Sequence, residues 1–71
     1  MLIQKRIPER NMFRFYRVSL QADLLGGWAV VREWGRIGRA GQIKCELHDD
    51  LAVAEAKART LAARKRRRGY L

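Results

Sequence analysis

Seventy-one residues allow one small domain with a small core, because a chain of this length buries only about 60% of the surface that it exposes when unfolded. The apolar fraction of 48% is typical of a folded domain and excludes a disordered tail. Sixteen lysines and arginines against seven acidic residues give a net charge of +9, which favours a polyanionic partner, nucleic acid before an anionic membrane surface.

The same composition argues against other classes of protein. No run of about 18 apolar residues is present, so we expect no membrane insertion. Residues 1–6 lack an apolar signal core, which predicts a cytoplasmic protein, associated with the nucleoid if bacterial. Cys45 has no cysteine partner, and with His48 alone it makes no metal site, so neither a metal nor another cofactor is expected. With no catalytic set in so short a chain, an enzyme is the least favoured class.

The N-terminal part of the chain predicts two strands. Leu2–Ile7 alternates apolar and polar residues, and Pro8 ends this strand because proline cannot donate to a ladder hydrogen bond. After a turn at residues 9–11, residues 12–20 are rich in the aromatic and β-branched residues that favour strands. Both faces of this second strand hold apolar residues, which is typical of a central strand with a helix over one face.

A glycine-rich stretch in the middle of the chain, residues 34–42, predicts a hairpin turn. It joins a third strand, residues 28–36, to a fourth, residues 42–48. An earlier reversal of the chain is expected at Gly26-Gly27, because glycine adopts positive φ without a steric penalty.

The C-terminal third changes to a helical period. Asp49 or Asp50 can cap the helix, since a carboxylate accepts from the free N–H groups of the first turn. Gly69 suits a C-terminal cap, after which Tyr70 could fold back on the last turn. The apolar positions that recur at helical spacing and form one face are Leu51, Ala54, Ala58, Leu61 and Ala62.

A basic run at residues 64–68 closes the helix, where cations complement the helix dipole. Lys65 and Arg68 should align with the apolar stripe, while the other three cations of the run should point elsewhere. The elements together predict an α+β fold, a small antiparallel sheet of about four strands with one long C-terminal helix packed across it. We expect residues 1–71 to form a single domain.

The chemistry expected of this fold centres on the third strand. Residues two apart on a strand share a face, so Trp34 and Arg36 should project side by side, with Arg32 and Arg39 nearby. Sequence-independent nucleic-acid binding needs cations for phosphates and flat surfaces for bases or sugars, and this cluster offers both. We therefore predict a footprint dominated by phosphate contacts.

Each of these signals also has a structural explanation. Trp34 could serve as a core residue, since a small sheet needs bulk. Arg36 could form a surface ion pair with Glu33 or Glu46. The basic run at residues 64–68 could simply keep the helix end solvated.

The motif Trp-Gly-Arg-Ile-Gly at residues 34–38, followed by Gly-Gln at 41–42, resembles the signature of the WGR domain. Residues 11–16 and 24–28 resemble an earlier strand and turn of that family, and residues 65–70 resemble its end. The resemblance covers nearly the whole chain, with the pieces in the right order. It implies a small antiparallel sheet crossed by one long helix, which agrees with the prediction from the residues.

In poly(ADP-ribose) polymerases this domain contacts DNA at strand breaks. The resemblance implies that Trp34 packs on a backbone sugar and that Arg36 works near an end phosphate or at a domain contact. It also suggests Asn11, Lys65 and Tyr70 as contacts. No ADP-ribosyl transferase region is present in this chain, so activation of a polymerase does not carry over. The resemblance extends to small bacterial proteins that consist only of this domain.

We therefore predict a DNA-binding module for double-stranded DNA or its ends, with RNA as an alternative polyanion. The alternative function is protein–protein interaction through the surface of Trp34 and Arg36. The predicted nucleic-acid-binding residues are Trp34, Arg36, Arg39, Arg32, Asn11, Lys65, Arg68 and Tyr70.

Overall fold

A computed structural model describes all residues, 1–71, and consists of four antiparallel strands and one long helix. The predicted α+β fold is confirmed. The elements are strands β1 (Leu2–Ile7), β2 (Met12–Ala22), β3 (Trp28–Arg36) and β4 (Gln42–His48) and helix α1 (Leu51–Arg67), with one turn of 3-10 helix at Pro8–Arg10.

The sheet has the strand order β1-β2-β3-β4, so each strand pairs with its neighbours in the chain. The predicted bounds of β1, β3 and β4 agree with the structure, whereas β2 runs to Ala22, two residues beyond the predicted end at Leu20. Ala22 lies opposite Trp28, so the ladder continues until the chain reaches its reversal. Gly26 and Gly27 both have positive φ in that reversal, as expected.

Helix α1 crosses one face of the sheet, which we call the covered face. Its N-cap is Asp50, whose carboxylate accepts a hydrogen bond from the Ala52 N–H at 2.8 Å. Most of the predicted stripe packs inward, but the prediction for Leu51 is wrong, because Leu51 is exposed in the first turn beside the cap. The core consists of Ile3, Tyr16, Val18, Val30, Ala54, Leu61 and Tyr70, with Leu20, Trp28, Trp34 and Ala58 packed against it.

The helix ends in a Schellman motif that turns the chain back. Gly69 has a φ of 95°, the Tyr70 N–H donates to the Lys65 carbonyl, and the Gly69 N–H donates to the Arg66 carbonyl. Tyr70 is thereby buried under the helix end, with 6% of its surface exposed. Both the glycine cap and the fold-back of Tyr70 are as predicted.

The two outer edges of the sheet differ. On the β1 side, Leu71 exchanges two backbone hydrogen bonds with Gln4, at 2.9 and 2.8 Å, whereas β4 has no neighbour on its outer side.

The sheet face opposite α1, which we call the open face, also remains uncovered. Leu2, Ile43 and Leu47 lie on it and are exposed by 48%, 64% and 68%.

Candidate functional site

Trp34 stands at the centre of the candidate site, on the covered face of β3. It lies opposite Tyr16 of β2 and Gln42 of β4. Its ring packs against the core but is only partly buried, and a groove opens on each side of it. The indole is therefore a structural residue and a surface residue at once, so the two predicted roles of Trp34 do not exclude each other.

The first groove, which we call the Arg36 groove, has a volume of about 400 Å³. Trp34 and Tyr70 supply aromatic surface to it, and no carboxylate lines it. The cations that line it are Arg10, Arg14, Arg36 and Lys65.

The second groove, which we call the Arg64 groove, lies on the other side of Trp34 and has a volume of about 420 Å³. It too contains no carboxylate. Its cations are Arg32, Lys44, Arg64, Lys65 and Arg68. The two grooves share Lys65 and together hold eight of the sixteen lysines and arginines, so half of the positive charge surrounds one indole.

Asn11 holds Arg36 in place. The guanidinium donates to the Asn11 backbone carbonyl and to its side-chain Oδ1, both at 3.1 Å, and lies 5.4 Å from the centre of the Phe13 ring. Asn11 has a φ of 51°, a left-handed conformation that asparagine tolerates better than most residues. Arg36 contacts neither Glu33 nor Glu46, so the predicted alternative of an ion pair is wrong and its charge stays available for an anion.

Arg32 is only partly available to an anion. Its Nη2 lies 3.3 Å from Glu46 Oε1, its guanidinium carbon lies 5.9 Å from the centre of the Trp34 ring, and its buried Nε has no hydrogen-bond partner. Arg32 thus contacts the indole from the side of the Arg64 groove. Because Glu46 already accepts from its guanidinium, fewer N–H donors of Arg32 remain for a phosphate.

Lys65 lies between two aromatic rings and borders both grooves. Its Nζ is 5.0 Å from the centre of the Tyr16 ring and 5.3 Å from that of Tyr70. Partial burial lowers the pKa of Lys65 below its ordinary value of 10.5, and the nearby guanidinium groups of Arg68, Arg14 and Arg32 lower it further. A bound anion would relieve that repulsion.

The structure brings most of the predicted residues together, with one exception. Arg39 lines a separate depression on the open face with Phe15, Arg17 and Glu33, so the expectation that it stands near Trp34 is wrong. The hairpin turn carries Arg39 past the end of β3, where the strand alternation no longer governs its direction.

Tyr70 is mainly a structural residue, whereas Arg68 is mainly a surface residue. Tyr70 is a core residue that presents only part of its ring to the Arg36 groove. Arg68 is exposed and lines the Arg64 groove, while its backbone carbonyl accepts a hydrogen bond from Lys5 Nζ.

Four groove cations were missed by the sequence prediction: Arg10, Arg14, Lys44 and Arg64. Arg64 also corrects the expectation that only Lys65 and Arg68 follow the apolar stripe. Arg14 lies directly opposite Arg36, and Lys44 opposite Arg32. The register of the hairpins was the signal that could have found these two, because it places their side chains on the face of Trp34.

No three His, Cys, Asp or Glu side chains come together in the structure as ligands for a metal ion. Its single helix is too short and too charged to cross a membrane.

Comparisons with known proteins add the following. The family model described as WGR domain matches residues 1–71. The chain is 35% identical over 68 residues to the uncharacterized protein y4dW of Sinorhizobium fredii. That match covers 96% of this chain and 33% of the relative, so the chain spans about a third of the relative's length. No solved structure matches.

Proposed function

The chain belongs to the WGR domain family, and from this membership we propose that it binds DNA through phosphate and sugar contacts, independently of base sequence. WGR domains are binding domains rather than catalytic ones, and those of poly(ADP-ribose) polymerases bind nucleic acid. The observation that carries the proposal is the distribution of charge: eight cations and no carboxylate line the grooves on either side of a partly exposed indole.

In the proposed complex the sugar-phosphate backbone crosses the Trp34 ring, and its phosphates lie in the two grooves. Arg36 is the principal phosphate ligand because Asn11 already fixes its guanidinium, which reduces the rotamer entropy lost on binding. The indole packs on the deoxyribose between the phosphates. Lys65 neutralises charge on both sides of the ring.

We further propose that nicked or broken duplexes are preferred over intact ones. A sugar at a strand end is less enclosed by neighbouring nucleotides, so the indole can reach its apolar face. A 5′ phosphate at such an end adds a charged group for Arg36. This preference is the finer part of the proposal and is tested separately from binding itself.

Fluorescence anisotropy with labelled DNA tests both parts. We expect the logarithm of the association constant to fall against the logarithm of salt concentration with a slope of roughly −3 to −5, which corresponds to about four to six phosphates. A nearly flat response would reject a phosphate-dominated footprint. The binding preferences are ranked by comparing the affinities for blunt, nicked, 5′-phosphorylated and single-stranded DNA and for RNA of the same length. If no polynucleotide binds at moderate salt, the surface serves a protein partner instead.

Arg36→Ala and Arg39→Ala form a matched pair for the site. Both remove one exposed arginine from β3 or the turn that follows it, but only Arg36 lines a groove beside Trp34. We expect Arg36→Ala to weaken DNA binding about fivefold and to reduce the salt slope by about one, with less than a twofold effect for Arg39→Ala. Equal effects of the two substitutions would place the contact elsewhere.

A further inference from the structure

Strand β4 offers a free edge, and its sequence is complementary to itself. We propose that two copies of this chain pair through β4, antiparallel and centred on Cys45, to form one continuous sheet. An unpaired strand edge is a template for another strand. The opposite edge of the sheet, on β1, is less free to pair with another strand, because the backbone N–H and carbonyl of Gln4 are already hydrogen-bonded to Leu71.

The charges of β4 select this register. With Cys45 opposite Cys45 of the second copy, Lys44 of each copy lies opposite Glu46 of the other. Lys44 is exposed and has no ion-pair partner within its own chain. Each copy thus contributes one cation without a partner, and the second copy supplies Glu46, a carboxylate that also lies 3.3 Å from Arg32 and 3.8 Å from Lys57 of its own chain.

Neighbouring symmetric registers are disfavoured. Pairing centred on residue 44 would put Lys44 opposite Lys44, and pairing centred on residue 46 would put Glu46 opposite Glu46. Like charges directly opposite each other destabilise a strand pair. Of these three registers, the one centred on Cys45 alone avoids a pair of like charges.

The apolar side chains fit the same register. Ile43 and Leu47 are exposed by 64% and 68% on the open face, so both leave apolar surface in contact with water. In the proposed pairing Ile43 of one copy lies opposite Leu47 of the other, twice by symmetry, with the two Cys45 side chains between them. The surface that the single chain leaves in water becomes a contiguous apolar patch across the new sheet.

The proposed pairing does not depend on the proposed DNA binding, but it has a consequence for it. A two-fold axis perpendicular to the sheet keeps both helices on one side, so both Trp34 residues face the same direction. Strand spacing and rise place them about 25 Å apart. Two sets of basic grooves would then be available to one polyanion, with Lys44 at the edge of each Arg64 groove also facing Glu46 of the other copy.

Analytical ultracentrifugation without DNA tests the interface, at roughly 0.15 M ionic strength, where the Debye length is about 8 Å. We expect a monomer–dimer equilibrium. Leu47→Asp should raise its dissociation constant at least tenfold. The matched control is Leu24→Asp, which makes the same change of charge at a fully exposed side chain outside β4 and should change the constant less than twofold. Circular dichroism confirms that both variants are folded.

Cysteine cross-linking with diamide tests the register. We expect wild-type chains to form a Cys45–Cys45 disulfide. The double variant Ile43→Cys/Cys45→Ser should not cross-link, because its two cysteines would lie four residues, about 14 Å, apart along the strands. Adding Leu47→Cys to that variant should restore the cross-link.

Three outcomes would overturn the proposal. They are a chain that stays monomeric up to millimolar concentration, a dimer that Leu47→Asp leaves intact, and a double variant that cross-links as fast as the wild type. The two proposals are tested separately, because ultracentrifugation and cross-linking use the chain without DNA, whereas the salt dependence of anisotropy measures DNA binding. Loss of one property would therefore leave the other measurable.

Discussion

The two faces of the sheet are built from alternate residues of the same four strands, yet they differ in charge and in surface shape. The covered face carries two acid-free grooves around Trp34. The open face carries the Arg17–Glu33 ion pair, at 3.3 Å, and exposed aliphatic side chains. A period of two residues is enough to separate a basic surface from one with exposed aliphatic side chains.

The helix explains why the cations collect on one face. Ala54 is fully buried and Ala58 partly buried, and these short side chains let α1 lie close to the sheet. The last turn of α1 then lies beside Trp34, so Arg64, Lys65 and Arg68 reach a strand that is distant in sequence. The charge of the helix end and the charge of the sheet become one surface.

Among the glycines, Gly41 has the least room for a side chain. A Cβ there would lie 2.3 Å from the Trp34 carbonyl oxygen and 2.9 Å from Phe15 Cζ on the open face. We expect Gly41→Ala to lower the free energy of unfolding by about 3 kcal/mol, measured by urea denaturation. Gly38→Ala, where only the φ of 87° opposes a side chain, should lower it by about 1 kcal/mol.

Trp34 and Phe15 are aromatic residues on opposite faces, and replacing each by alanine tests which face binds. We expect Trp34→Ala to weaken DNA binding tenfold or more, because stacking contacts contribute about 1–3 kcal/mol. Phe15→Ala should destabilise the hairpin but change the affinity of the folded protein less than twofold. Anisotropy at a temperature where both variants are folded makes the measurement, and a similar loss for Phe15→Ala would contradict the assignment of the covered face.

Lys65→Met gives the smallest effect and separates binding from stability. Because the pKa of Lys65 is lowered in the folded state, the folded protein binds fewer protons than the unfolded chain between the lowered pKa and 10.5. Across that pH window, the free energy of unfolding of the wild type should therefore rise with pH relative to that of the variant. At neutral pH the variant should be at least as stable as the wild type, while its salt slope for DNA falls by about one.

Urea denaturation from neutral pH to about pH 10.5 measures the difference between wild type and Lys65→Met. Lys57→Met is the matched control, since Lys57 lies 3.8 Å from Glu46 and borders neither groove. A difference curve that falls with pH would contradict the proposed repulsion around Lys65.

The sequence predicted the elements and the proximity of Trp34 and Arg36 because both depend on local pattern. Strand alternation placed Trp34 and Arg36 on one face, and the glycines marked the turns. Arg39 was misplaced because no period operates in a turn. Arg14 was missed because its place beside Arg36 depends on the register between two strands, which a single-strand pattern does not contain.

The sharing of Lys65 between the grooves has a consequence for ligands smaller than a polymer. One ammonium group cannot fully neutralise two independent anions, so mononucleotides or phosphate ions in the two grooves should compete. A continuous backbone escapes this antagonism because adjacent phosphates are already linked covalently and face the same ammonium from both sides. We therefore expect chain-like polyanions to bind more tightly than their monomers at equal total phosphate concentration.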